Sequence, residues 1–87
     1  MTVHVELFGI PRERAGVDKV DVEATDLGDV LDELAVRFPT FAETCLSEGE
    51  LRSGYLANVN GCQFTRDNNT ELTPDTTILI LSADAGG

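Results

Sequence analysis

The sequence predicts an α+β domain in which one main helix packs against a mixed sheet. Three observations support this fold class. An apolar stripe with helical spacing runs through residues 27–38, short segments of alternating apolar and polar residues stand on both sides of it, and an Asn60-Gly61 pair marks a tight hairpin. A chain of 87 residues has the length of one domain with a small core.

The amino-terminal segment predicts two antiparallel strands. Apolar and polar residues alternate over residues 3–7, which is the period of a strand with one buried face. A second alternating segment, residues 19–23, directs Val20 and Val22 inward. The intervening residues 9–16 contain two glycines and a proline, so we predict a loop there. So short a connection favours an antiparallel hairpin.

The helix is the clearest element. Thr25 or Asp26 supplies its N-cap, and Pro39 ends it. We predict residues 41–51 as a short helical turn followed by an acidic loop. The apolar stripe recurs every three or four residues and consists of Leu27, Val30, Leu31, Leu34, Ala35 and Phe38.

Three further strands follow the helix. Residues 55–60 and 62–65 flank the Asn-Gly turn, and residues 76–81 close the sheet. Residues 78–81 of that last segment are apolar on both faces, which indicates a central strand. The predicted order is β-β-α-β-β-β. We assign residues 1–82 to the domain and residues 83–87 to a flexible carboxyl-terminal tail.

Charge and composition exclude several classes of partner. Acidic residues number 16 and basic residues 6, so the formal net charge is −10, and such a surface repels phosphate backbones and anionic lipid. No apolar run approaches the roughly 18–20 residues of a membrane span, and no signal peptide begins the chain. We therefore predict a cytoplasmic protein without nucleic-acid or membrane partners. A protein with a basic groove is the expected partner.

The residues that most often carry chemistry have no supporting pattern here. Cys45 and Cys62 are too few for a disulfide scaffold and too far apart for a zinc or iron–sulfur spacing. No histidine or basic cluster stands beside either cysteine to lower the pKa of its thiol. His4 has no Asp or Cys neighbour in the sequence. We therefore expect no metal site and no bound cofactor.

The tail is the unusual segment. Ala83 and Ala85 are small, and Gly86-Gly87 ends the sequence. Glycine has no Cβ and accepts dihedral angles that other residues avoid, so two of them can pass a narrow channel. A tail of this kind can insert its carboxylate into the active site of another protein. Because a carboxylate is a poor electrophile, its use requires prior activation, for example as an acyl-adenylate made from ATP.

These features together resemble the MoaD/ThiS family of ubiquitin-like sulfur carriers. The segment after the first strand resembles MoaD, the small subunit of molybdopterin synthase, most closely. The matching features follow the order of the family over nearly the whole chain: residues 3–8, Arg12-Glu13-Arg14-Ala15-Gly16, the helix of residues 27–38, Val59-Asn60-Gly61, and the Gly86-Gly87 end.

The resemblance implies a β-grasp fold and a carrier that is not itself an enzyme. A ubiquitin-activating-type enzyme, similar to MoeB or ThiF, would adenylate the Gly87 carboxylate with MgATP, and Gly86 would be its slender neighbour. A cysteine desulfurase or rhodanese-like donor would then leave a thiocarboxylate on Gly87. A MoaE-like large subunit would pass this sulfur to the pterin precursor of molybdenum cofactor.

A docking surface is expected beside the tail. Alternation directs Phe8, Leu79 and Leu81 outward on the first and last strands, and three apolar residues on adjacent strands indicate an interface. The resemblance implies that the partners contact this surface together with the tail. The expected partner-binding residues are therefore Phe8, Leu79, Leu81, Ala83, Asp84 and Ala85.

Three alternatives remain open from the sequence. Asp84 stands where many MoaD relatives have an apolar residue, so a carrier of sulfur for thiamin, cysteine or tRNA is the first alternative. A ubiquitin-like modifier, joined through the same carboxyl group to a lysine, is the second. An interaction module with an inert tail is the third.

Overall fold

The structure is a computed structural model that describes residues 1–83. The predicted tail residues Asp84, Ala85, Gly86 and Gly87 lie outside the described residues. In chain order the elements are β1 (Thr2–Leu7), α1 (Gly9–Ala15), β2 (Lys19–Glu23), α2 (Leu27–Arg37), α3 (Pro39–Cys45), β3 (Leu46–Ser47), β4 (Glu50–Leu51), β5 (Tyr55–Val59), β6 (Gln63–Thr65) and β7 (Thr77–Ser82).

Five strands form one mixed sheet in the order β2-β1-β7-β5-β6. β1 and β2 form the predicted antiparallel pair, and β1 runs parallel to β7. β7 is antiparallel to β5 on its other side, which confirms that the last strand is central. Asn60 and Gly61 connect β5 to β6 with φ angles of 54° and 74°, the left-handed conformation that the predicted tight turn requires.

The core lies between one face of the sheet and the helices. Val3, Val5 and Leu7 alternate inward from β1, while Ile78 and Ile80 do so from β7. The apolar stripe of α2 covers them: four of its six predicted residues are completely buried, and Ala35 and Phe38 pack partly buried at its end. The face opposite the helices is called the outer face below.

The predicted loop over residues 9–16 is wrong, because most of it is helix α1. The two residue types that indicated a loop instead bound the helix. Pro11 occupies the first turn, where its missing N–H needs no partner. Gly16 is the left-handed C-cap, with φ of 80°, and its N–H donates to the Arg12 carbonyl.

The segment of residues 41–51 is only partly as predicted. The helical turn is present as α3, and Pro39 both ends α2 and occupies the start of α3. The acidic loop is instead the two-stranded hairpin β3-β4, whose turn residues Glu48 and Gly49 have φ angles of 52° and 79°. A glutamate in the left-handed region is uncommon, so Glu48-Gly49 lacks the Asn-Gly or Asp-Gly pair that marks such a turn most clearly.

Three hydrogen bonds among Thr25, Asp26 and Asp29 cap the amino terminus of α2. Asp26 is the N-cap, and its Oδ1 accepts from the Asp29 N–H at 2.8 Å. The Asp29 carboxylate in turn accepts from the backbone N–H and the hydroxyl of Thr25, at 3.0 and 2.8 Å. These hydrogen bonds favour the ionised carboxylate and lower the pKa of Asp29 below its ordinary value.

The substitution Asp26→Ala removes the side-chain cap and is expected to lower the free energy of unfolding by about 1 kcal/mol. Asp32→Ala is the matched control, because Asp32 lies on the exposed face of the same helix. Chemical denaturation of both variants measures the difference. Equal stabilities would show that the Asp26 carboxylate contributes nothing as a cap.

Candidate functional site

The carboxyl end of β7, called the exit end below, is where the chain leaves the sheet. Ser82 is the last residue of the strand and pairs with Tyr55. The next residue, Ala83, is exposed and donates its N–H to the Gly54 carbonyl at 2.7 Å. The backbone therefore leaves the central strand held on one side by the turn of residues 52–55, called the exit turn below.

Two open pockets adjoin Ala83. One has a volume of about 470 Å³ and lies between the start of α1 and the exit turn, with Ile10 and Tyr55 in its wall. The other has a volume of about 240 Å³ and is apolar. Ser82 and Ala83 line both, so the departing chain is accessible from two sides. The lining of the smaller pocket is completed by Leu56, Phe64 and Leu81.

The outer face carries a patch of four apolar residues next to the exit end. Strand pairing places Leu56 opposite Leu81, so both side chains share this face. Asn58 stands opposite both Leu79 and Phe64 and joins them in one row across the sheet. Phe64 is 65% exposed, whereas the three leucines are half-buried. Leu56, Phe64, Leu79 and Leu81 are called the apolar patch below.

The structure places the predicted docking residues as follows. Leu79 and Leu81 lie on the outer face and are half-buried rather than exposed. Phe8 is not part of β1: it is the extended residue that precedes α1, and it is 44% exposed. Its N–H donates to the Ile80 carbonyl at 3.0 Å, so Phe8 lies at the exit end. Ala83 begins the departing segment.

Sequence reasoning missed Phe64, and the register explains why. A two-residue turn at Asn60-Gly61 would pair Val59 with residue 62 and direct Phe64 towards the core. The structure pairs Val59 with Gln63, because Cys62 is an extra residue between the turn and the ladder. A shift of one residue moves every side chain of the strand to the opposite face. Phe64 therefore joins the outer face.

His4 has two carboxylate partners that sequence proximity did not indicate. Its Nδ1 lies 2.8 Å from Asp21 Oδ1, and its Nε2 lies 3.3 Å from Asp75 Oδ1. An imidazole that donates from both nitrogens is protonated, and the two hydrogen bonds raise the pKa of His4 above its ordinary value. Among residues 1–83, no three His, Cys, Asp or Glu side chains are grouped as metal ligands.

The two cysteines differ in exposure. Cys45 is buried at the end of α3, and burial raises the pKa of its thiol. A buried neutral thiol of this kind behaves as a small apolar side chain. Cys62 is exposed beside the hairpin turn.

The sequence model of the ThiS family matches residues 5–87. The chain belongs to the ThiS family. This is the MoaD/ThiS family of small ubiquitin-like sulfur carriers and modifiers that the sequence resembles. A comparison with curated proteins gives no match.

Solved structures of similar proteins share the fold. The chain is similar to small archaeal modifier protein 1 of Methanosarcina acetivorans at 26% identity, with 99% of this chain and 96% of that chain covered and a TM-score of 0.83. The chain is similar to the Amycolatopsis orientalis BexX/CysO complex at 24% identity, with 98% of this chain and 99% of that chain covered and a TM-score of 0.80. The chain is also similar to the complex of molybdopterin-converting factor subunits 1 and 2 from Helicobacter pylori. The identity is 21%, all of this chain and all of that chain are covered, and the TM-score is 0.69.

These similarities confirm the predicted ubiquitin-like β-grasp fold. Relative to the one predicted main helix, the part of the chain described here adds α1, while α3 is the predicted helical turn. Over residues 1–83, none of the helices is long and apolar enough to cross a membrane. The cytoplasmic location stays a prediction.

The substitution Phe64→Ser is expected to change the free energy of unfolding by less than about 0.5 kcal/mol, because the side chain is largely exposed. Ile80→Ala is the control on the opposite face of the sheet, where complete burial predicts a loss of about 2–5 kcal/mol. Denaturant unfolding measures both. If Phe64→Ser lowered the free energy of unfolding as much as Ile80→Ala, Phe64 would belong to the core.

The Asp21–His4–Asp75 contacts predict a pH-dependent stability. The raised pKa of His4 means that the contribution of the imidazolium is complete below its ordinary pKa and is lost as the pH rises through the raised value. The difference in Tm between the protein and His4→Gln is therefore expected to be larger at about pH 6 than at about pH 9. Thermal unfolding at both pH values measures this difference in Tm. A difference in Tm that does not change with pH would contradict a protonated His4 paired with the two carboxylates.

Proposed function

We propose that this chain is a sulfur carrier whose Gly87 carboxylate is first adenylated and then converted to a thiocarboxylate. In the first step a carboxylate oxygen attacks the α-phosphorus of MgATP on an activating enzyme, and pyrophosphate leaves. In the second step the outer sulfur of a persulfide on the sulfur donor attacks the same carbon, and AMP leaves with its oxygen. A thiol then cleaves the S–S bond of this acyl disulfide, which releases the thiocarboxylate and leaves a disulfide on the donor's cysteine. The chain supplies the reacting carbonyl group, and its partners supply the catalytic groups.

The exit end is the observation that carries this proposal. β7 has hydrogen-bonded neighbours on both sides up to Ile80 and on the β5 side up to Ser82, and the chain then departs at an exposed alanine. From Ala83 to Gly87, four of the five residues are alanine or glycine, which suits a narrow channel. The family match continues to residue 87, so it includes this segment.

We propose three kinds of protein partner. They are a MoeB/ThiF-like adenylating enzyme, a cysteine desulfurase or rhodanese-like sulfur donor, and a MoaE-like large subunit that accepts the sulfur. Two relatives support protein partners in general, since CysO and molybdopterin-converting factor subunit 1 are both present in complexes. The net charge of −10 favours a partner surface that is basic.

We propose the exit end and the outer face as the partner-binding surface. Phe64 extends the surface predicted from sequence, because it is the most exposed residue of the apolar patch and lines the pocket beside Ala83. A half-exposed Phe8 borders the same end of the sheet. The proposed contact residues are Phe8, Leu79, Leu81, Ala83, Asp84 and Ala85, with Leu56 and Phe64 added from the structure.

Molybdopterin synthesis is the pathway that we propose first. Similarity to the subunit of the Helicobacter pylori molybdopterin-converting factor supports it, as does the Arg12–Gly16 motif. Asp84 departs from the apolar residue that is common in MoaD relatives. Similarity to the CysO complex keeps a different sulfur acceptor as the alternative within the same chemistry.

A ubiquitin-like modifier is the second candidate. Similarity to small archaeal modifier protein 1 favours it, at 26% identity over 99% of the chain. The adenylate would form in the same way, and a lysine amine of a target protein would take the place of the sulfur donor. A carrier and a modifier therefore share the first step and differ in the nucleophile of the second.

Adding one residue after Gly87 is expected to abolish adenylation, because the reacting carboxylate is displaced beyond the position where the activating enzyme binds ATP. ATP–pyrophosphate exchange with a MoeB/ThiF-like enzyme measures the step, and Tm is the control for folding. The extended chain should keep the Tm of the original. Persistent exchange with the extended chain would contradict the proposed role of Gly87.

Deletion of Gly86-Gly87 distinguishes the remaining alternative. A carrier or a modifier would lose all activity, whereas an interaction module would keep its partner binding and its biological function. Complementation in cells that lack the intact gene measures this, with the amount of folded protein as the control.

A further inference from the structure

Arg66 connects the end of β6 to the exit turn. Its Nε donates to the Tyr55 carbonyl at 2.8 Å, and its Nη2 donates to the Ser53 carbonyl at 2.9 Å. The two acceptors flank Gly54 in the chain, so one guanidinium group bridges the carbonyls on both sides of that residue. The planar fork of arginine can donate two such bonds at once, which a lysine ammonium on its flexible stem does not reproduce.

The carbonyl between these two acceptors holds the departing chain. Gly54 O accepts from the Ala83 N–H at 2.7 Å, the first backbone contact after β7. A further bond within the exit turn, from the Tyr55 N–H to the Arg52 carbonyl at 2.9 Å, closes the turn. The backbone of residues 53–55 therefore connects the two hydrogen bonds from Arg66 to the hydrogen bond of Ala83, where the carboxyl-terminal segment begins.

Arg66 has no core role that would explain this placement. Its side chain is exposed, and the glycine at the centre of the exit turn has open space around its Cα. A loop of this composition has many accessible conformations unless side chains restrict it. The two bonds from Arg66 add to the bond between the Tyr55 N–H and the Arg52 carbonyl in restricting the exit turn.

Arg37 provides a matched comparison within the same chain. It is also an exposed arginine whose guanidinium donates to a backbone carbonyl, that of Asp21, at 3.0 Å. Its acceptor lies on β2, at the edge of the sheet and two strands away from β7. Removing the Arg37 guanidinium therefore removes the same charge, one backbone hydrogen bond and an ion pair with Glu33, without reaching the exit end.

We propose that Arg66 is a positioning residue for the carboxyl-terminal segment. It fixes the exit turn so that Gly54 holds Ala83, and Ala83 leaves the sheet in one direction, which we propose faces the activating partner. This inference rests on the proposed function for its consequence, because only a segment delivered to another protein needs a fixed direction. The positioning itself is a property of the free chain.

Amide hydrogen exchange of the free protein tests the positioning. Arg66→Gln is expected to increase the exchange rate of the Ala83 amide by about tenfold, the effect of weakening one backbone hydrogen bond. The exchange rate of the Ile80 amide, in the core strand, is the internal reference and should stay unchanged in Arg66→Gln. The exchange rate of the Ala83 amide should stay unchanged in Arg37→Gln. An unchanged Ala83 rate in Arg66→Gln would overturn the inference.

Adenylation kinetics test the consequence. With a MoeB/ThiF-like enzyme and MgATP, Arg66→Gln is expected to raise the KM for the carrier by about tenfold with kcat within about twofold, because a misdirected segment binds less often but reacts normally once bound. Arg37→Gln should leave both constants unchanged. A KM that stays the same in Arg66→Gln would also overturn the inference.

Arg66→Lys separates positioning from charge. Lysine keeps the positive charge but lacks the planar fork that donates to both carbonyls at once, so positioning predicts that it behaves like glutamine in both experiments. A lysine variant with the KM of the original protein would show that the partner recognises the charge alone, and would overturn the inference. If the unaltered chain supported no ATP–pyrophosphate exchange, that result would contradict the proposed function instead. The amide hydrogen exchange of Ala83 is measured on the free protein and is independent of that outcome.

Discussion

The hydrogen bonding of β7 on both sides is the constraint on which the rest of the structure depends. The strand pairs in parallel with β1 and antiparallel with β5, and its inward residues Ile78 and Ile80 are completely buried. A strand held in this way cannot shift its register without moving both neighbours and the core. The end of the strand is therefore a fixed point, and Ser82 and Ala83 leave the sheet from a defined position beside two open pockets.

His4 and its two carboxylate partners are remote from this point. His4 pairs with Thr77, at the opposite end of β7 from Ser82, which is a separation of about 16 Å along the strand. The Asp21–His4–Asp75 contacts therefore stabilise the start of the strand, while the exit end offers backbone, small residues and apolar surface. Such a division suits a protein that presents a group to the catalytic site of a partner.

Local patterns predicted the parts of the fold whose signals are local. The α2 stripe, the alternation of β1 and the Asn60-Gly61 turn each depend on neighbouring residues, and each is confirmed. The helix α1 was missed because Pro11 and Gly16 indicate a break when considered singly, although a proline at the start and a glycine after the end also delimit a helix. The exit end was predicted from strand order, but Arg66 was not, because its acceptors lie 11 and 13 residues away.

The intact mass of the chain, after incubation with a MoeB/ThiF-like enzyme, MgATP and a sulfur donor, tests most directly whether its carboxyl group carries sulfur. We expect a product heavier by the difference between one sulfur and one oxygen atom, with the change confined to the carboxyl-terminal peptide. An unchanged mass, obtained while the enzyme and the donor act on another carrier in the same mixture, would contradict the proposed chemistry.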